Sequence, residues 1–375
     1  LFGLEKEEHV VLHKYLETLG YKPEQRNGEA MFCKFSNSEE EYRILVQGVG
    51  CRIVSSSLLE MRGNDSLDFL HRITTNDLKT LPSNRAASTI FTNEKGRILD
   101  RVVVLNFGEK QVLIGNHGTQ KKLFLWIQRY VIMDDVHVSE ASKSYGVLEI
   151  LGPQAKSFMT LLCGDNCNHL EENEIRQLSV DDTSFFVFKN TARHESSTAE
   201  EGGYYLFASQ ANLQKLLSYI DANKGVFDFG LVGEDAYEIY RIENGILSEK
   251  ELNDTYNPHE AKMLSDVCFT KGCYIGQEII ARLATYEKVQ KYLTGFNFLN
   301  CQPAEKEFLL YDDAHNEIGS VTSSVYSQAN HKSIGLGYIR KEFVESPKPI
   351  KGIGKTTKQE VLVSIHSLPF GNPHS

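Results

Sequence analysis

The segment Phe269-Thr270-Lys271-Gly272-Cys273-Tyr274-Ile275-Gly276-Gln277-Glu278-Ile279-Ile280-Ala281-Arg282 gathers the residue types best suited to chemistry. Cysteine acts as nucleophile or metal ligand in its thiolate form. A helical run follows the motif, so Cys273 is expected near a helix N-terminus, where the dipole favours an anion. Lys271, two residues earlier, adds positive charge. A helix end alone contributes roughly 0.3–1 kcal/mol, under one pKa unit at ~1.36 kcal/mol per unit. With the lysine, the thiol is expected to drop from ~8.5 to about 7. Gly272 is expected to permit an unusual turn or the close approach of a ligand. Gln277 and Glu278 are expected to orient the motif through hydrogen bonds. The same residues also fit a plainer reading, a lone cysteine packed as a small hydrophobe.

Other signatures are missing. The chain has no G-x-x-x-x-G-K-S/T loop, no G-x-S-x-G elbow and no H-E-x-x-H helix. Cys163-x-x-x-Cys167-x-His169 offers three metal ligands with no matching second half, so these read as ordinary structural residues. The seven cysteines, at 33, 51, 163, 167, 268, 273 and 301, are odd in number and widely spaced. They fit a reducing compartment rather than a disulfide framework. A net charge of −10 argues against a sequence-independent grip on nucleic acid. No apolar run approaches the ~18–20 residues that cross a bilayer. The acidic N-terminus resembles neither a secretory signal nor a mitochondrial presequence. The expected location is the cytoplasm for a bacterial source, or the mitochondrial matrix after removal of a presequence.

Hydropathy patterning supplies the frame for these residues. Val10, Leu12, Leu16 and Leu19 have near-helical spacing, with Gly20 as a cap. A strand at 57–62 leads to a helix carrying Leu67, Leu70 and Ile73 behind an Asn64 or Asp65 cap. Residues 97–115 read as a hairpin around Gly108-Glu109-Lys110, followed by a helix marked by Leu123, Trp126, Ile127 and Tyr130. Further strands are expected at 146–151, 184–189 and 204–208, further helices running toward Leu162, over 213–220 and over 235–244, and a polar loop at 191–203. After residue 291, five short strand-like stretches without a helix predict a small β-barrel or sandwich. The stretch 341–358, rich in Lys, Pro and Gly, is expected to be a mobile loop within it. The expected class is α+β: an N-terminal part at 1–145, a second part at 146–290 intertwined with it and carrying the cysteine motif, and a barrel at 291–375.

Lys271 to Glu278 resembles the K-G-C-Y-x-G-Q-E signature of the YgfZ family, and Ala281-Arg282 continues the pattern. Further agreement comes from Met61-Arg62-Gly63-Asn64-Asp65 with Phe69-Leu70 and Thr75-Asn76-Asp77, and from Lys95-Gly96-Arg97-Ile98-Leu99. Arg241-Ile242-Glu243-Asn244-Gly245-Ile246, Pro258-His259-Glu260-Ala261 and Ile318-Gly319-Ser320-Val321-Thr322-Ser323 agree as well. YgfZ proteins are folate-binding factors of iron–sulfur cluster assembly or repair, related in fold to the aminomethyltransferase (T-protein, GcvT) of the glycine cleavage system.

The resemblance implies a GcvT/YgfZ-like ring of domains around a central folate cavity, with tetrahydrofolate or a derivative as cofactor. Arg241 maps onto the arginine of the related folate site, and Asp100 and Asn76 join it as cofactor-binding candidates. Cys273 becomes the reactive thiolate, with Lys271 tuning it or meeting the folate tail. Gly272, Tyr274, Gly276, Gln277, Glu278 and Arg282 complete the motif. Cys273 is also a candidate transient iron or sulfur ligand. Clusters usually take four protein ligands, so such a cluster would be shared with a partner. The implied partners are iron–sulfur carriers and [4Fe–4S] client enzymes, tRNA-modifying radical enzymes among them, with no membrane and no direct nucleic-acid binding.

Two departures from the T-protein pattern bear on mechanism. The G-Y-T-G-E-D-G-F-E segment of the transferases corresponds to Thr198-Ala199-Glu200-Glu201-Gly202-Gly203-Tyr204-Tyr205, which puts Thr198 at the tyrosine and Tyr205 at the pterin glutamate. The paired aspartates of the transferases become Asp100 beside Arg101. The implied function is a folate-dependent factor for assembly or repair of iron–sulfur clusters, chiefly [4Fe–4S], without classical turnover. The alternative is a tetrahydrofolate-dependent aminomethyl or one-carbon transferase. A binding scaffold without chemistry is the third reading.

Overall fold

The structure is a computed structural model that describes residues 11–371 except 27–28, 168, 190–202, 287 and 300–301. The loop expected at 191–203, with Thr198 and Glu201, therefore lies outside the described residues apart from Gly203.

The strand Ile98–Asn106 organises the first half, because both of its faces are buried. Successive side chains of a strand point to opposite faces. Val102 and Val104 point toward the helices Ser66–Ile73 and Gln120–Tyr130, against Phe69, Leu70, Leu123 and Ile127. Val103 and Leu105 point the other way, against Val147, Phe188 and Phe207 of a second sheet. The first sheet is antiparallel, in the order Arg85–Thr92, Ile98–Asn106, Lys110–Gly115, Ser57–Arg62, His137–Glu140.

The second sheet runs Arg176–Val180, Thr183–Lys189, Tyr204–Ser209, Tyr145–Leu151, Val49–Ile53, Phe229–Leu231, with its last pair parallel. Helices Val11–Thr18, Ala155–Cys163 and Gln210–Asn223 cover its far face through Leu12, Leu16, Phe158, Leu162, Leu213 and Leu217. Val49–Ile53 precedes the first sheet in sequence yet pairs with Tyr145–Leu151. A boundary at 145 therefore does not divide the body in space. The chain starts in the second sheet, leaves to build the first, and returns.

The C-terminal unit is a closed barrel of six strands rather than five. Its order is Lys291–Phe298, Lys332–Arg340, Glu317–Ser327, Phe308–Tyr311, Ile350–Gly354, Glu360–His366, and the last strand pairs back with the first. The additional strand, Ile350–Gly354, lies inside the stretch expected as a mobile loop. Its Lys and Gly content hid a strand whose Ile350 and Gly352 pair with Val363 and Val361. Phe296, Phe298, Phe308, Leu310, Val361 and Val363 fill the barrel.

The helix Glu234–Glu243 packs on Ser38–Gln47 through Tyr42, Leu45 and Ala236, with Val232 just before it in the same cluster. An irregular span then carries Glu251 and Tyr256 under the barrel. Tyr256 stacks on Tyr338 with ring centroids 3.4 Å apart, and the Tyr338 hydroxyl donates to the Glu251 carbonyl at 2.8 Å. Among the described residues, no helix is long and apolar enough to cross a membrane.

Candidate functional site

A cavity of about 410 Å³ opens where the two sheets, the helix Glu234–Glu243, residues 246–250 and Lys306 of the barrel meet. Its size falls in the ~300–1,000 Å³ range of small-molecule sites. Phe188 and Tyr205 stand on neighbouring strands with stacked rings 5.3 Å apart, and both line it. Tyr237 lines another part, beneath the Arg52 guanidinium at 3.5 Å. Arg52 in turn bridges Glu149 at 2.8 Å and Glu234 at 3.2 Å. Flat apolar walls with fixed ionic partners suit a planar heteroaromatic ligand.

Asp100 sits behind this wall with no exposed surface. Val103 pairs with Ile114 across the hairpin, and that register brings the residues after Gly115 level with Asp100. The carboxylate accepts from Asn116 Nδ2 at 2.7 Å, Thr119 Oγ1 at 2.5 Å and the Arg101 amide at 2.9 Å. Burial pushes this carboxyl up to about 6, against the pull of the Thr119 and Asn116 hydrogen bonds. A Cβ at residue 115 would stand 2.4 Å from Asp100 Oδ2 and 2.6 Å from Ser57 Oγ. Only glycine lets the acid rest directly behind the wall. Gly115 and Asn116 line the cavity, so Asp100 acts on it through them. An acid poised near neutrality can hold or release a proton at this edge.

Arg241 is not a free cation for a ligand tail. It is 3% exposed, and its five donor contacts go to Glu238 (twice), Glu251, the Ile246 carbonyl and Ser323 Oγ. A guanidinium has five N–H donors, so none remains. The same Glu251 accepts from Thr322 and Ser323 at 2.6 Å each. Arg241 therefore fastens the barrel to the body beside the cavity. Arg241 still lines the cavity, whereas Asn76 lies away from it. Its amide nitrogen donates to the Ser88 carbonyl at 2.8 Å, and it does not line the cavity.

The cysteine segment forms a separate site. The helix runs Gln277–Tyr286, so Cys273 precedes it by four residues. That is beyond the first turn, where the dipole acts. Cys273 is exposed and does not line the cavity. Lys271 turns inward, with Nζ donating to the carbonyls of His71, Thr74 and Asn76. These three bonds use all the donors of an ammonium. Burial lowers the lysine to about 8, and among thiols it is the charge of Cys268 that it feels. Cys268, half-buried, has its thiol pushed down by a hydrogen bond from Thr270 Oγ1 at 3.5 Å, helped by nearby amides.

Gly276, rather than Gly272, is the constrained glycine. It has φ +84°, and a Cβ there would meet the Asn93 carbonyl at 2.7 Å, whereas one at Gly272 would meet nothing. Tyr274 packs against Val267 and Ile280. The side chains of Gln277 and Glu278 make no hydrogen bond among the described residues, and Glu278 and Arg282 face solvent.

Residues 12–271 match the GCVT N-terminal domain, and residues 291–370 match the Glycine cleavage T-protein C-terminal barrel domain. The chain belongs to the glycine cleavage T-protein family. The aminomethyltransferase of Staphylococcus epidermidis is 26% identical over 355 residues, covering 92% of this chain and 93% of that one. That of Staphylococcus haemolyticus is 25% identical over 335 residues, covering 87% and 88%. The crystal structure of glycine cleavage system aminomethyltransferase T from Bartonella henselae has a TM-score of 0.81 and 19% identity, over 96% of this chain and 97% of that one. This likeness shows a shared fold, the mixed α/β T-protein body with its C-terminal barrel.

In this T-protein fold, Arg101 stands beside Asp100 and also lines the cavity, with Nε donating to Asp266 at 2.6 Å. Sequence reading singled out Asp100 but missed Gly115, Asn116 and Thr119, which the hairpin register could have placed beside it. It also missed Glu251. The local Ser248-x-x-Glu251 spacing marks only a turn, because the partners that make this acid part of the network, at 322 and 323, come from the barrel.

Proposed function

We propose that the central cavity binds a reduced folate and that the chain carries out folate-dependent one-carbon transfer of the aminomethyltransferase type. The observation that carries this reading is the buried Asp100, raised toward neutrality and joined to the cavity wall through Asn116. Phe188, Tyr205 and Tyr237 supply flat walls of the kind a pterin needs. When bound, tetrahydrofolate supplies the nitrogens that accept a one-carbon unit. Asp100 fixes the orientation of Asn116 and holds a proton next to that edge. The aromatic walls exclude water. The test is turnover. Incubated with tetrahydrofolate and an aminomethyl donor, the wild-type protein forms methylene-tetrahydrofolate, and Asp100→Asn loses at least tenfold in rate. Absence of product with intact folate binding would reject the transferase reading.

A second reading is favoured by one observation, the exposure of Cys273 in a loop tethered at Cys268, Lys271 and Ile275 and lying apart from the cavity lining. In this reading the protein is a YgfZ-type factor that binds folate and helps assemble or repair [4Fe–4S] clusters. Cys273 is then a soft ligand or nucleophile presented to iron–sulfur carriers and clients, tRNA-modifying radical enzymes among them. This reading expects folate binding without turnover, and loss of [4Fe–4S] enzyme activity in cells carrying Cys273→Ala. Full complementation by that variant would reject it.

A further inference from the structure

Nine Arg, Lys and Glu side chains line the cavity, and seven of them are paired. Arg26 meets Asp235 at 2.9 Å, Arg52 bridges Glu149 and Glu234, and Arg101 meets Asp266. Lys250 and Arg241 share Glu238. Glu249 and Lys306 remain. Neither makes an ion pair or side-chain hydrogen bond among the described residues. Arg241 feels the charge of Glu249, but its donors are already engaged.

The surroundings keep both charges available. Glu305 and Glu307 flank Lys306 but are committed elsewhere. The Glu305 carboxylate accepts from the Thr356 and Thr357 amides at 2.9 and 2.8 Å, and Glu307 pairs with Lys355 at 2.6 Å. Lys306 is exposed, at the mouth of the cavity on the barrel side. Glu249 is half-buried. Its loop is braced by Ser248 donating to Glu251 at 2.9 Å and by Asn253 donating to the Lys250 carbonyl at 2.8 Å.

We infer that Glu249 and Lys306 fix the polarity of the ligand: Glu249 accepts from the amide and amino edge of the pterin, and Lys306 pairs with the carboxylate of the tail. A carboxylate facing adjacent N–H donors and an ammonium facing a carboxylate are the charge-assisted contacts such a ligand requires. This rests on the folate reading above and answers its open point, since Tyr205 stands where the pterin glutamate of T-proteins is expected. The acid is supplied instead from the segment that follows the helix Glu234–Glu243.

The test is calorimetric titration of the full chain with two probes: 5-formyltetrahydrofolate, and 6-methyltetrahydropterin, which lacks the tail. Glu249→Gln weakens both by tenfold or more. Lys306→Ala weakens 5-formyltetrahydrofolate by tenfold or more and leaves 6-methyltetrahydropterin within twofold. Neither side chain takes part in the ion pairs that hold the fold, so both variants keep the wild-type melting temperature. Both variants binding like wild type, or Lys306→Ala weakening both probes equally, would overturn the assignment while leaving folate binding intact. Wild-type protein that binds neither probe would instead remove the folate reading, and this inference with it.

Discussion

Asp100 and Asn116 are joined by a 2.7 Å hydrogen bond at the open end of a β-hairpin, which places a buried acid one side chain from the cavity. Asp100 is thereby shielded from water yet coupled to whatever lies against Asn116. Burial is the cause of its raised pKa, and the surrounding donors keep the ionised form accessible.

This coupling predicts a pH signature. The carboxyl lies at about 6 in the folded chain against an ordinary value of 3.8. Between those values the native state holds the proton and the unfolded state does not, so the contribution of Asp100 to stability falls as pH rises from about 4 to about 6, read as the difference from Asp100→Asn. The loss amounts to about 3 kcal/mol and is complete above pH 6. Urea denaturation across this range measures it. Asp100→Asn removes that component, and an identical pH profile in the variant would count against a raised acid.

Arg241 predicts a structural phenotype. Arg241→Met leaves Glu251, fully buried, without its cation and leaves Glu238 with Lys250 alone. Breaking one side of a buried pair costs about 3–5 kcal/mol. Chemical denaturation should show this loss, and Arg241→Met combined with Glu251→Met should lose less than the sum of the two single variants. Additive losses would mean that the two residues do not act as a pair.

Arg241 also shows where sequence reading stops. Glu238 lies one helical turn away and was within reach, but Glu251 and Ser323 arrive from a later segment and from the barrel. Nothing local distinguishes an arginine that meets a ligand from one that closes such a network. Lys271 is similar, because its partners lie about two hundred residues earlier in the chain. By contrast, the hairpin around Gly108 and most barrel strands were legible, since their alternation is written within a few residues. The strand Ile350–Gly354 was not, because two of its five residues are glycine and its register is set by Val361 and Val363.

Lys271→Met should loosen the cysteine loop. The lysine ties this loop to the end of the helix Ser66–Ile73, where carbonyls lack partners of their own. Hydrogen exchange read by mass spectrometry should quicken at residues 71–77 and 268–276 and stay unchanged in the barrel. Unchanged exchange at both segments would show that the three carbonyl contacts do not hold the loop.

The thiols should separate by site. Cys268, with its thiol pushed down by Thr270, should reach half its maximal alkylation rate at a lower pH than an ordinary thiol, and Thr270→Val should shift that midpoint upward. Cys51, buried and pushed up to about 12, should stay unmodified in the folded protein. Peptide mapping after iodoacetamide treatment over a pH series gives each rate. Labelling of Cys51 as fast as Cys268 would contradict the structure.

A hydrogen-exchange footprint with tetrahydrofolate decides whether the cavity among Asn116, Tyr205, Tyr237 and residues 246–250 is a folate site. Folate binding there should slow exchange at 115–117, 204–206 and 246–250 and leave residues 268–276 unaffected. Protection confined to 268–276, or no protection anywhere under saturating tetrahydrofolate, would contradict it.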